Sequence, residues 1–493
     1  MKFLKSLELN LSNINLMTVS ICLLALWSIV IQDGLINRDG LMYVKQAYLF
    51  SEGRWDEGIK VFNWPFFGAI IFLTSKVTNL SFQYSAHLIN LILFAIAVIF
   101  YLKVLLDVYL DKRIVFYGGL LLISFIPLMD DYVGMILRDH GLWAASMAGT
   151  YFYIKYLRTN SFKYNLTWQS LFLFGTLFRP ESFVFLISIP LIKSVVILFE
   201  QKETLNFRDI IKELYLALLL FGGLIILFLI NNSGQSILPG RFNEFIPKAT
   251  TFLNQLASPL PINSTNKYLS EIINYHSFAI TISVMFAVII SKWLSGIGFL
   301  RFLLLVYYFK NKKPLIKNKN LRYTIYSLII INIFLTTINF FNIFVFSNRY
   351  LENQWFLIFI IISPILMKFF YLKNKGIKIL FFKIVAIFYI IFSILVSMYD
   401  IQRANIEVEA GKYIANLNIS DEVSVVHSDR VAYYGGIDLA YITNYINLDA
   451  NPEWIIYTGN SELPNRLVNI EYQLERKFIK TNDNGIYILK RRI

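Results

Sequence analysis

The 493-residue sequence holds a single cysteine, Cys22, which excludes a disulfide framework and any cysteine-based metal centre. Cysteine usage thus leaves the redox compartment open. Four histidines in the whole chain argue against a histidine-rich metal site. Charged residues are scarce, at 16%. There is no Gly-rich phosphate loop, no nucleophile elbow and no Asp-x-Asp pair on a cytoplasmic segment, so no nucleotide-sugar site is expected. Internal repeats are lacking, and the lysine-rich loops are the one low-complexity feature.

What the chain has in abundance is apolar surface. Its composition is 56% hydrophobic with a mean hydropathy of +0.56, and apolar runs near the roughly 20 residues that cross a bilayer recur along most of it. This predicts a polytopic α-helical membrane protein. The formal net charge of +14 does not indicate nucleic acid, because Lys310, Lys312, Lys313, Lys317, Lys319 and Arg322 crowd a short loop between spans, as the positive-inside rule expects. The basic N-terminus precedes a long apolar stretch without a small-residue cleavage site, and reads as a retained anchor.

Expected spans lie at 16–32, 85–102, 114–129, 141–157, 166–178, 182–199, 213–231, 277–298, 323–341, 351–371 and 378–398, which makes about eleven. With the N-terminus inside, the basic turns near Lys112, Arg158, Lys202, Lys310 and Lys368 all fall in the cytoplasm. The stretch 277–309 contains Lys292 and Arg301. It is read as one span plus an interfacial helix, since two spans would put the lysine-rich segment outside.

Residues 1–399 thus form a membrane domain with two sizeable outer loops, 33–84 and 232–275. In the first, Leu41, Val44, Ala47 and Tyr48 fall at helical spacing and 65–73 is apolar but too short to span, so two surface-lying helices are expected. The second, with Pro239, Pro247, Pro259 and Pro261, reads as an irregular flap. Residues 400–493 read as a small extracytoplasmic α/β domain: a helix bearing Ile406, Ala410, Tyr413, Ile414 and Leu417 on one face, strands at 423–426 and 454–457, and a terminal hairpin turning at 482–485. Nothing in it carries chemistry, so a packing or binding role is expected.

Ionisable groups near membrane depth are costly and therefore functional candidates. Those on the expected outer side are few: Asp33, Arg38, Asp39, Asp56 and Glu57; Asp130, Asp131, Arg138, Asp139 and His140; Arg179 and Glu181; Arg349 and Glu352. Arginine suits a phosphate through bidentate hydrogen bonds, and a carboxylate near a hydroxyl acts as a general base worth roughly 10²–10⁴-fold. Such parts fit group transfer from a lipid phosphate. Each also has a plainer reading. Asp39 before Gly40 serves as an N-cap as readily as a base, and the two roles can coexist. Arg138 and Asp139 pair with each other or cap a span, Arg179-Pro180-Glu181 breaks a helix with its charges snorkelling outward, and Arg349 anchors a span end. His140 is more often a hydrogen-bonded interfacial residue than a metal ligand. Asp130-Asp131 is a weak divalent-cation signal, so a metal is possible but not favoured, and no cofactor is expected.

The stretch Arg38-Asp39-Gly40-x-x-Tyr43, followed by Gly53-Arg54-Trp55 and Asn63-Trp64-Pro65-Phe66, resembles the first outer loop of the GT-C membrane glycosyltransferases, nearest to the protein O-mannosyltransferase and lipid A aminoarabinose transferase branch. Leu137-Arg138-Asp139-His140-Gly141, Phe178-Arg179-Pro180-Glu181, Ser347-Asn348-Arg349-Tyr350, Glu409-Ala410-Gly411-Lys412-Tyr413-Ile414 and Ala432-Tyr433-Tyr434-Gly435-Gly436 are similar to later signatures of bacterial members. The resemblance implies an inverting transferase that moves a sugar from a polyprenyl-phosphate donor to a lipid, glycan or protein acceptor at the outer face of the cytoplasmic membrane. It implies Asp39 as catalytic base, Arg138, Arg179 and Arg349 as donor-phosphate ligands, and Arg38, Tyr43, Asp139, His140, Glu181 and Tyr350 as supporting residues. Two departures touch the pockets: Asn63-Trp64-Pro65 stands where many members have His-Pro-Pro, and Asn353 stands where they have proline. The rivals are a lipid-linked sugar flippase, which would show paired halves that are not visible here, and a non-catalytic scaffold, which would leave the outer Asp and Arg residues without a role.

Overall fold

A computed structural model describes residues 10–31, 36–201, 207–219, 276–310, 315–343, 348–371 and 377–398, and, in the C-terminal part, 406–417, 423–426, 429–437, 442–443, 452–460, 464, 472–479 and 484–492. The outer loop expected at 232–275 and most of the span expected at 213–231 lie outside the described residues, as does Asp33. The helices of the first part are α1 (Ile14–Ile31), α2 (Arg38–Ser51), α3 (Trp55–Val61), α4 (Phe66–Thr78), α5 (Phe82–Tyr109), α6 (Arg113–Ile123), α7 (Asp139–Thr159), α8 (Phe162–Phe178), α9 (Ser182–Gln201), α10 (Phe207–Glu213), α11 (Ser277–Ile297), α12 (Phe299–Lys310), α13 (Lys319–Ile343), α14 (Glu352–Tyr371) and α15 (Ile377–Met398).

The chain is a mostly helical protein of membrane character. Among the described residues, segments of α5, α13, α14 and α15 are each long and apolar enough to cross a bilayer, and the bent pair α11–α12 makes a fifth if it counts as one span. Helix α15 exposes Phe381, Phe382, Ile384, Phe388 and Leu395, an apolar surface that only lipid or another apolar partner covers favourably. Helix α14 is instead buried over most of its length and packs on α6 and α13.

Two details differ from the periodicity reading. The first outer loop forms three helices, α2, α3 and α4, rather than two; Arg54 pairs with Glu57 at the start of the extra turn, and Gln46 Nε2 donates to the carbonyls of Gly58 (2.9 Å) and Phe62 (2.7 Å) at its end. Helix α6 stops at Ile123 instead of running to 129, because Pro127 cannot continue it; a π-helical turn, Pro127–Tyr132, follows. Helices α11 and α12 meet at 110° at Gly298, whose φ of +72° is one that L side chains rarely adopt. Arg301, just past that corner, is buried and donates to Leu121 O (3.0 Å) and Ser124 Oγ (2.9 Å) while lying over the Phe125 ring, so its charge ties α12 to the end of α6.

The C-terminal part contains α16 (Ile406–Asn416), β1 (Val423–Val426), α17 (Asp429–Tyr434), β2 (Ile442–Thr443), β3 (Trp454–Asn460), β4 (Tyr472–Ile479) and β5 (Asn484–Arg491). The sheet order is β2-β1-β3-β5-β4; β1 runs parallel to both neighbours, and β4–β5 is the antiparallel terminal hairpin. Ala410, Ile414, Val431 and Ala432 of the two helices are buried with Trp454, Ile456, Ile486 and Ile488. Helix α17 reaches the first part of the chain: Tyr433 donates to Gln83 Oε1 (2.8 Å), and the Tyr434 hydroxyl accepts the Ile36 N–H (2.9 Å).

Helix α2 begins tight against the chain at Ile136. The Asn37 side chain accepts the Ile136 N–H (2.9 Å) and donates to the Ile136 carbonyl (3.3 Å), and a Cβ on Gly40 would stand 2.7 Å from Asn37 Oδ1 and 2.8 Å from Ile136 Cβ. Gly40→Ala is therefore expected to push α2 off the Ile136 turn and to cost about 1–3 kcal/mol, read as a lowered midpoint of thermal unfolding of the detergent-purified protein.

Candidate functional site

Four connections bring the site together: the start of α2, the turn into α7, the break between α8 and α9, and the 3₁₀ turn Asn348–Leu351 before α14. Each break has a local cause. Gly40 permits the close approach at α2, Pro180 ends α8, and α7 starts as the chain leaves the π-helical turn.

Arg179 and Asp139 form the inner pair. Their Nη1–Oδ1 separation is 3.0 Å, and the side chains are only 7% and 5% exposed, so this ion pair is shielded from solvent. Arg179 Nη2 also donates to Glu181 Oε1 at 3.4 Å. Burying these charges is costly, and close geometry with multiple hydrogen bonds offsets the cost. Asp139 therefore pairs with Arg179 across helices and not with its neighbour Arg138.

Arg349 and Asp39 form the outer pair, in direct contact between Nη1 and Oδ2. Both are partly exposed, so solvent screens the attraction and the pair can be parted by an incoming anion. Asp39 lies inside the first turn of α2, whose N-cap is Asn37, so it is not the cap.

Beside the inner pair and Arg349 lies a small, partly open cavity of about 30 Å³. Asp139, Arg179, Glu181 and Arg349 line its charged side, Leu142, Trp143, Phe185 and Leu335 its apolar floor, and Asn332, Thr336 and Asn353 a neutral polar wall. That wall is braced: Asn353 Nδ2 donates to Asn332 Oδ1 (2.8 Å), Gln354 Nε2 to Thr336 Oγ1 (2.8 Å), and Trp293 Nε1 to Gln354 Oε1 (3.0 Å). Asn332 and Thr336 were missed by reading charges alone. Their i, i+4 spacing within an apolar span was the available signal.

The remaining expected residues sit around this cavity rather than on it. Arg138 is buried, donates to the Phe178 carbonyl (3.2 Å) and lies over the Phe62 ring, so it holds the residue before Arg179 instead of lining the cavity. Tyr43 is buried edge-on to Phe62 and Phe67. Burial pushes its phenol up from the ordinary value, Arg138 pulling it back down and Asp39 adding to the rise, so it is a neutral hydroxyl at physiological pH. His140 is fully buried, its Nδ1 3.0 Å from the Leu137 carbonyl and its ring against Trp143. Arg38 is exposed. Asp130 lies in the π-helical turn, away from the cavity wall, and the side chains of Asp131 and Tyr350 are outside the described residues. Among the described residues, no group of three or more His, Cys, Asp or Glu side chains is placed to hold a metal ion.

Arg179 and Arg349 thus line one cavity, and the Asp39 carboxylate is held by Arg349. No family model matches the sequence, and no curated protein matches it. Asp139→Asn is expected to leave the Arg179 charge under-compensated and to destabilise the protein by about 3 kcal/mol. Adding Arg179→Met should restore part of that loss; a double-variant loss in denaturation equal to the sum of the Asp139→Asn and Arg179→Met losses would show that the pair is not coupled.

Proposed function

We propose that this protein is a membrane glycosyltransferase of the GT-C type, moving a sugar from a polyprenyl-phosphate donor to an envelope acceptor at the outer face of the cytoplasmic membrane. The carrying observation is that Asp39 and Arg349, 310 residues apart, pair directly, and that Arg349 lines the same cavity as Arg179. A carboxylate paired with one guanidinium group, with a second guanidinium on the same cavity, supplies the base and the cationic groups that a lipid-phosphate transfer needs. The proposal includes about eleven spans, the N-terminus inside, the C-terminal domain outside and α12 lying along the interface.

In the proposed mechanism the donor phosphate takes up Arg349 and Arg179, which loosens Arg349 from Asp39. Asp39 then accepts the proton of an acceptor hydroxyl, whose oxygen attacks the anomeric carbon from the face opposite the phosphate. The carbon–oxygen bond to the phosphate breaks, its electron pair leaves with the lipid phosphate, and the guanidinium groups stabilise that charge. The configuration inverts. Arg138 acts through the backbone ahead of Arg179 and is a positioning residue.

Asp39→Asn keeps the shape and removes the base. Transfer is expected to fall at least about 10²-fold, read by mass spectrometry of envelope glycolipids, glycans and glycoproteins from cells with wild-type protein, none, or the variant. Loss of one defined sugar in both mutant backgrounds supports the transferase; a sugar lost only in the deletion indicates transport or scaffolding instead.

A further inference from the structure

Helix α17 stops on the run Ala432-Tyr433-Tyr434-Gly435-Gly436, and the stop has a local cause. The Ile437 N–H donates to the Ala432 carbonyl (3.0 Å) and the Gly436 N–H to the Tyr433 carbonyl (3.2 Å), and Gly436 supplies the φ of +72° that this closure of a helix end requires. The last turn of α17 therefore carries two adjacent tyrosines. Helix α16 lies close behind them, since a Cβ on Gly411 would stand 2.4 Å from Tyr434 Cβ. Both rings pack against the apolar cluster of the first outer loop that includes Ile36, Leu41, Tyr43 and Val44. Their hydroxyls reach different elements. Tyr433 donates to Gln83 Oε1 (2.8 Å) on α5, whereas Tyr434 accepts the Ile36 N–H (2.9 Å), one residue before the Asn37 cap of α2.

Resting on the transferase reading, we infer that Tyr434, and through it the C-terminal part of the chain, is a positioning residue for Asp39. Among the described residues, none of the C-terminal part lines the cavity, so its influence on the site runs through this contact and not through the reacting groups. Ile36 is buried, and a buried N–H that loses its acceptor draws its backbone toward water. The start of α2 is held at two consecutive residues, Ile36 by Tyr434 and Asn37 by the Ile136 backbone. Asp39 follows two residues later, in the first turn, where it meets Arg349 arriving from the turn before α14. Releasing Ile36 therefore loosens the backbone that carries the carboxylate. A misplacement of about 1 Å costs up to about 10²-fold in rate, so the loss of one of the two holds is expected to cost about tenfold.

The test uses the full-length chain. The envelope sugar lost in Asp39→Asn cells defines the reaction, and the rate at which it reappears after induced expression in deletion cells is measured for wild type, Tyr434→Phe and Tyr433→Phe at matched protein levels. Tyr434→Phe is expected to slow that rate about tenfold. Tyr433→Phe removes a hydroxyl from the same seam but from a contact with α5, and should stay within about twofold of wild type. On an Asp39→Asn background, Tyr434→Phe should cost nothing further, because there is no base left to misplace. Hydrogen exchange of the purified proteins, read by mass spectrometry, should show the peptide containing Ile36 exchanging faster in Tyr434→Phe and not in Tyr433→Phe, with the peptides of β3 and β5 unchanged, which reports a folded C-terminal part. Equal slowing by the two variants, an unchanged rate in Tyr434→Phe, or the same loss repeated on the Asp39→Asn background overturns the positioning role and leaves the transferase reading standing. If no sugar depends on Asp39, the transferase reading falls and the role falls with it.

Discussion

A guanidinium group buried with its counter-carboxylate, Arg179 against Asp139, is the constraint around which the cavity is built. Neither charge is tolerable alone at that depth, and their attraction is strong because little water reaches them. The pair ties the break between α8 and α9 to the first turn of α7. Arg138, next to Asp139, binds the carbonyl of Phe178, next to Arg179, so two adjacent contacts join the same two segments. The result is a rigid charged side for the cavity, with Glu181 carried on the same break.

Asp39 is placed by uncharged contacts. The Asn37 amide clasps the Ile136 backbone from both sides, Gly40 lets α2 come close enough for that clasp, and the Tyr434 hydroxyl takes the Ile36 N–H from the C-terminal part. The carboxylate therefore stands at the end of a chain of contacts that reaches both the turn into α7 and the C-terminal part. Its ion pair with Arg349 is partly exposed and correspondingly weak.

Much of this was legible beforehand, and the limits have physical causes. The helices α5, α13, α14 and α15, the amphipathic helix α16 and the terminal hairpin follow from periodicity and turn residues, because each buries one face and marks its ends locally. The extra helix α3 escaped because it spans seven residues and is stabilised by Gln46 from another helix, which no periodicity records. The early end of α6 was visible as Pro127 but outweighed by the apolar run. Among site residues, scarcity of charge at membrane depth singled out Asp39, Asp139, Arg179, Glu181 and Arg349. The same argument could not separate Arg138 and His140, which are buried in packing, from residues facing the cavity.

By itself the sequence determined that the chain is helical and of membrane character, which segments are apolar enough to be buried, and which few ionisable residues need a reason to exist. Composition and period are properties of the chain alone, so they survive without coordinates. Only the tertiary structure decided who pairs with whom. Asp39 meets Arg349 across 310 residues and Asp139 turns to Arg179 instead of to its neighbour. Asn353 donates its amide to Asn332 from a different helix. Those outcomes depend on where helices cross and on which donors remain once others are satisfied, and that is information carried by packing and not by local order.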